Sequence, residues 1–239
     1  MLYDLAAMHC PGCASEMQHL ALDGKLDTTV AVDLCASCRV IWFDHLKELQ
    51  LAPGGTLRLF ALISAASAAP AAPLPGALRC PRCRTHLALT HDMQRTTRFQ
   101  YWRCEAGHGR LITFVDFLRE KDFVRPLTRA QIDELRQSVR TVNCGNCGGP
   151  IDLAKDSVCA HCGSPVSLLD PAQMARTVAQ LQGAAAGRPA DDAPPPDPGP
   201  HPPSFDALLE AMRAKPGSES TRGMFDIGLR VLTELLKSR

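Results

Sequence analysis

The sequence predicts a small, metal-stabilised α+β protein. Short antiparallel hairpins should be joined by helices, and a helical tail should follow on a tether. Three observations predict this. Ten of the eleven cysteines fall in five Cys-x-x-Cys pairs: Cys10/Cys13, Cys35/Cys38, Cys80/Cys83, Cys144/Cys147 and Cys159/Cys162. The spacing between pairs recurs, with 21 residues from Cys13 to Cys35 and 20 from Cys83 to Cys104. Aromatic residues make up only 5% of the 239, while there are 17 Gly and 19 Pro. Such a chain lacks the large apolar side chains of one big core, and small domains then need a staple.

The first module spans residues 1–52. Cys10-Pro-Gly-Cys13 opens it, and a strand near residues 17–22 runs into Asp23-Gly24, a hairpin signal. The alternating, β-branched run at 28–34 returns the chain and delivers Cys35 and Cys38 beside the first pair. Four thiolates around one tetrahedral ion close such a hairpin, which is the plan of a zinc ribbon. Residues 53–76 read as a short helix, to about Ala69, and an Ala/Pro linker.

The second module, residues 77–126, repeats the plan. Cys80 and Cys83 form its first knuckle. Cys104 stands where the second must begin, and His108 is the ligand-capable residue four positions on. The expected site is therefore Cys80, Cys83, Cys104 and His108, a zinc spacing of three cysteines and one histidine, against the alternatives of a free Cys104 or a fourth ligand from His86 or His91. The run after it, RLITFVDFLREKDF, reads as strand and turn. Residues 127–140 hold a connector helix opened by the capping box Thr128-x-x-Gln131.

The third module, residues 141–169, carries Cys144, Cys147, Cys159 and Cys162, with 11 residues between its knuckles. Asp170-Pro171 caps a helix over 170–182. Residues 183–203 are a Pro-rich, disordered tether. The tail, 204–239, shows two amphipathic patterns: Phe205, Leu208, Leu209 and Met212, then Phe225, Leu229, Leu232 and Leu236. The second has so wide an apolar face that it must be buried, and burial against a partner or a second copy is the expected mode.

The stretch CASCRVIWFDHLKEL, residues 35–49, resembles the second half of the TFIIB-type zinc ribbon of many bacterial proteins. Trp42, Phe43, Asp44, Glu48 and Leu49 match its pattern, while Ala14 and Arg39 stand where that family usually has Gly. Residues 144–163 look like a generic bacterial zinc ribbon of rubredoxin-knuckle type. The resemblance implies zinc-binding modules with a nominal link to transcription.

Three tetrads imply three Zn²⁺ per chain, with mononuclear iron as the competing ion on the same knuckles. Each site has four protein ligands and no open position for water or substrate, so the expectation is structural metal and no catalytic residue. No Walker A, HExxH or GxSxG motif is present. The chain start lacks a basic, apolar leader, and metal rather than disulfides suits cysteines in the cytoplasm. The uncharged stretch 59–78 is broken by Pro70, Pro73 and Pro75, which argues against a membrane span.

Charge is uneven. Residues 1–52 carry 3 basic and 7 acidic side chains, residues 77–140 carry 13 and 7, and residues 141–170 carry 1 and 3. Within the basic module, Arg95, Arg98 and Arg103 interleave with Tyr101 and Trp102, a pattern suited to single-stranded nucleic acid. Strand alternation explains much of the same pattern. The expected function is a non-enzymatic interaction scaffold with no small-molecule substrate. The alternative is a nucleic-acid-binding or transcription-associated factor, and a weaker one is a thiol redox sensor.

Overall fold

The structure, a computed structural model, describes residues 7–67, 72–94, 97–147, 149–187 and, in the tail, 229, 232, 233, 236 and 237. Strands β1 (Gln18–Asp23), β2 (Thr29–Cys35) and β3 (Val40–Asp44) form the first module, and helix α1 (Pro53–Ala66) follows. Strands β4 (Ala88–Gln94), β5 (Thr97–Arg103) and β6 (Gly109–Thr113) form the second. Helix α2 (Phe114–Glu120), β7 (Val124–Pro126) and α3 (Arg129–Ser138) lead into β8 (Thr141–Asn143), β9 (Pro150–Asp152) and β10 (Ser167–Leu169), then α4 (Pro171–Ala185).

The main correction concerns the modules. The first two are not separate ribbons but halves of one six-stranded antiparallel sheet, in the order β1-β2-β3-β6-β5-β4. Strand β3 of one pairs with β6 of the other, placing Val40 opposite Thr113, Trp42 opposite Leu111 and Asp44 opposite Gly109. The order is palindromic, as though two copies of one three-stranded unit had joined edge to edge. The physical reason lies in the inner strands. Val40, Ile41, Trp42 and Phe43 are all buried, as are Leu111 and Ile112. A strand apolar on both faces is stable only inside a sheet.

One face of the sheet carries the helices. Leu22, Val32, Ile41, Phe43 and Ile112 pack with Leu59, Phe60 and Ile63 of α1, Phe117 of α2 and Met174 of α4. Phe43, Phe117, Phe60 and Phe123 form a chain of ring contacts, with centroids 4.6 to 6.0 Å apart. The other face carries cysteines of the first two modules, Cys10, Cys35, Cys38, Cys80 and Cys104, with Met17, Val40, Trp42, Leu78, Leu87 and Leu111.

The run after His108 is also corrected. Strand β6 ends at Thr113, whose hydroxyl accepts from Asp116 N at 3.0 Å and caps α2. The expected helices appear as α1, α3 with its capping box, and α4 capped by Asp170. No helix among the described residues is long and apolar enough to cross a membrane.

Five residues of the tail are described. Leu229 and Leu232 are buried in the helix-side core, and Leu236 packs against it. Ser64 Oγ of α1 donates to Leu229 O at 2.9 Å. Three members of that ridge, Leu229, Leu232 and Leu236, thus meet the chain's own core. Ser64 gives that groove a polar contact, and sequence spacing alone does not reveal such a pairing. Phe205, Leu208, Leu209, Met212 and Phe225 lie outside the described residues.

Candidate metal centres

Four knuckles share one local architecture. Each cysteine opening one of them bonds across a short loop: Cys10 N to Ser15 O, Cys80 N to Thr85 O, Cys144 N to Gly149 O and Cys159 N to Ser164 O, all at 2.7 to 2.9 Å. In three of them the chain also returns a bond to the cysteine carbonyl, from Ala14, Arg84 and Gly163. The residue after the second ligand turns left-handed in three of these, Ala14 at φ 59°, Arg84 at 64° and Gly163 at 68°, and so does Arg39 at 53° after the Cys35/Cys38 pair. Glycine takes this conformation freely and other residues at a cost. The non-glycine residues at 14 and 39 therefore adopt the turn that the glycine pattern demands.

These knuckles meet in pairs. Among the described residues, three groups offer four ligand atoms within 4.8 Å of one another: Cys10, Cys13, Cys35 and Cys38; Cys80, Cys83, Cys104 and His108; Cys144, Cys147, Cys159 and Cys162. These are the three tetrads expected from spacing, His108 included. In the first, Cys13 Sγ lies 3.7 Å from Cys35 Sγ. In the second, Cys83 Sγ is 3.6 Å from Cys104 Sγ, and His108 presents Nδ1 3.4 Å from Cys104 Sγ. In the third, Cys144 and Cys162 are 3.6 Å apart, and Cys147 and Cys159 3.5 Å. A tetrahedral zinc with Zn–S bonds of about 2.3 Å gives S···S edges of about 3.8 Å and S···N edges of about 3.6 Å. The separations fit a shared ion, and every cysteine is free of disulfide bonding.

The thiol electrostatics point the same way. Interaction with Cys10 lowers Cys35 to about 5, while burial raises Cys38 to about 12 and Cys80 to about 11. Burial also raises Cys104, but the backbone N–H and ring of His108 outweigh it and bring the thiol to about 6. Burial and neighbouring groups thus push the thiols of one tetrad in opposite directions. A divalent cation at the centre draws all four ligands to the deprotonated form, so these donor sets fit zinc. When bound, such an ion cross-links two knuckles.

The second site is the most open to solvent, with Cys83 half-buried and His108 exposed. Among the described residues, the other histidines stay off the tetrads. His161 is exposed within its knuckle, and His19 Nδ1 lies 2.8 Å from Asp33 Oδ1.

The third site is tied to the sheet by buried polar groups that the spacing argument missed. Asn146, between two ligands, donates from Nδ2 to Asp116 Oδ2 at 3.1 Å and to Ser164 Oγ at 2.9 Å. Thr113 Oγ1 lies 2.6 Å from Asn146 Oδ1, and Arg119 Nη1 pairs with Asp116 Oδ1 at 3.0 Å. A second cluster joins the two halves of the sheet: Arg110 Nε is 3.1 Å from Glu48 Oε1, and its Nη2 is 2.8 Å from Glu120 Oε2. The sole sequence signal for either cluster was charge or amide groups amid apolar runs.

The nucleic-acid candidates are dispersed. Arg98 and Arg103 are exposed but five positions apart, so strand alternation puts them on opposite faces of β5. Tyr101 is half-buried beneath the Arg110 guanidinium, 5.0 Å from its ring centre, and Trp102 packs against the metal-side core. Arg95 lies outside the described residues. A scan against protein-family models, a search of curated proteins and a search of solved structures each found no match to this chain. The class that the fold and sites define is thus a chemical one: metal-binding modules built on four thiolate or imidazole ligands.

Proposed function

We propose that the protein is a non-enzymatic, zinc-stabilised adaptor that presents rigid ribbon surfaces to protein partners in a reducing, cytoplasmic setting. The carrying observation is that each tetrad supplies four protein ligands, which fills a tetrahedral zinc and leaves no coordination position for a reacting molecule. In this reading the first half-sheet is a ribbon of TFIIB type, supported by Trp42, Phe43, Asp44, Glu48 and Leu49 after the Cys35 knuckle. The two half-sheets act as one platform, because β3 and β6 are hydrogen-bonded.

A second reading, nucleic-acid binding by the basic module, draws on the arginines around the second site. Arg79 and Arg84 are exposed there beside Arg82. Arg82, however, pairs with Asp44 at 3.0 Å. One experiment separates the readings. The metal-loaded full chain is titrated with random single- and double-stranded oligonucleotides at low salt, and in parallel used to capture protein from its native cells before and after chelation. The adaptor reading expects a stoichiometric protein partner that is lost on chelation, with no oligonucleotide binding. Salt-sensitive oligonucleotide binding without a protein partner would overturn it.

A further inference from the structure

The two outer edges of the six-stranded sheet differ. On the β1 edge, Arg58 Nη1 donates to Ala21 O at 3.2 Å and Ala52 N donates to Asp23 O at 3.0 Å. Helix α1 and the residue before it thus occupy part of that edge. On the β4 edge, among the described residues, the backbone bonds only to β5 and to side chains of β4 itself. Strand β4 is seven residues long, ALTHDMQ, with one charged residue and neither Pro nor Lys. Sheet edges are normally guarded by such residues, by a bulge or by a cover, because an open edge templates pairing. Here Leu89 and Met93 instead stand 49% and 58% exposed.

The strand is also complementary to itself. Laid antiparallel against a copy about a dyad at His91, Leu89 meets Met93, Thr90 meets Asp92 and Ala88 meets Gln94. Each pair occurs twice. The apolar side chains cover one another, and the acid meets a hydroxyl rather than its own copy. Moving the dyad one residue to Asp92, a register shift of two, sets Asp92 against Asp92. Moving it to Thr90 sets Met93 against Leu87, which is buried and outside the strand. One register is therefore favoured. The join of β3 to β6 already uses the same edge-to-edge geometry within the chain.

We propose that β4 pairs with β4 of a second copy of this chain, antiparallel about His91, to extend the sheet across a two-fold dimer. The dimer interface is isologous.

The test uses the metal-loaded full chain in sedimentation equilibrium. The wild type should show a reversible monomer–dimer equilibrium. Two double variants are compared with it, Leu89→Lys/Met93→Lys and Leu89→Glu/Met93→Glu. All four substitutions fall on exposed positions, and metal content and circular dichroism check that each variant stays folded. Each alone should weaken dimerisation by about tenfold or more, since like charges then face across the dyad. An equal mixture should restore it, because position 89 of one copy faces position 93 of the other. A monomeric wild type, a dimer that survives both variants, or a mixture that fails to reassociate would each overturn the proposal. A dimer held by the tail would give the second of these results.

Discussion

Asn146, set between two ligands of the third metal site, donates a 3.1 Å hydrogen bond to the carboxylate of Asp116, fully buried in α2. One side chain thereby links a metal knuckle to the interior of the main sheet. Removing Asp116 leaves Arg119 buried without its carboxylate, so Asp116→Ala should cost about 3–5 kcal/mol. Asn146→Ala leaves neutral groups unpaired and should cost about 1–3 kcal/mol. Denaturant unfolding of the metal-loaded chain gives both values. Equal, near-zero costs would show that the third site is not anchored through this pair.

The join between the half-sheets depends on one glycine. Gly109 sits at φ 149°, and a Cβ there would lie 2.1 Å from the Phe43 carbonyl oxygen. Gly109→Ala should therefore separate the ends of β3 and β6. Hydrogen exchange should rise at Phe43 and Asp44 more than at β1 or β4. Unchanged protection across the join would contradict the register of Asp44 opposite Gly109.

The left-handed knuckle residues give a prediction of opposite sign. Arg84 is exposed at φ 64°, a conformation that costs a side-chain-bearing residue about 1–2 kcal/mol relative to its ordinary backbone. Its carbonyl, which accepts from Arg79 Nη1, survives substitution. Arg84→Gly should therefore stabilise the protein, by about 1 kcal/mol once the greater freedom of unfolded glycine is counted. A fall in melting temperature would show that the arginine side chain contributes more than its backbone costs.

The ligands were legible in the sequence because they are local pairs at repeated spacing. The position of Cys104 in that repeat was enough to single out His108. The fused sheet was not legible as a pairing, since which edges join depends on contacts about 70 residues apart. Its trace was present in VIWF at 40–43, a run apolar on both faces, which marks a central strand rather than an outer one. Helix α2 was hidden because LITF favours a strand, and the cap Thr113-x-x-Asp116 begins inside that run. The Asn146–Asp116 and Arg110–Glu48 pairs were invisible because each joins groups more than 29 residues apart whose burial comes only with the fold.

The second metal site should load and release independently by measurable steps. Its ligand atoms belong to two knuckles held by β4, β5 and β6, and His108 is its exposed member. The wild type should bind three metal ions in native mass spectrometry. His108→Ala should keep two ions firmly and lose the third at a chelator concentration that leaves the wild type loaded. Acidification should empty this site as the imidazole and thiols take up protons. A variant that retains three ions as tightly as the wild type would assign the fourth ligand elsewhere.

The tail should behave as part of the core. Leu232 is wholly buried, and Leu229 beside it accepts from Ser64 of α1 at 2.9 Å through its carbonyl oxygen. Truncating a buried leucine removes its transfer energy and leaves a cavity, so Leu232→Ala should destabilise the chain by about 2–5 kcal/mol. Ser64→Ala removes the hydrogen bonds to Leu229 O and Thr233 Oγ1 and should cost about 1–3 kcal/mol. The amides of residues 229, 232, 233, 236 and 237 should be protected from exchange in the monomer, and Leu232→Ala should release that protection without altering metal content. A tail that exchanges freely in the wild type, or a Leu232→Ala chain as stable as its parent, would free this ridge for a partner and reverse the packing described here.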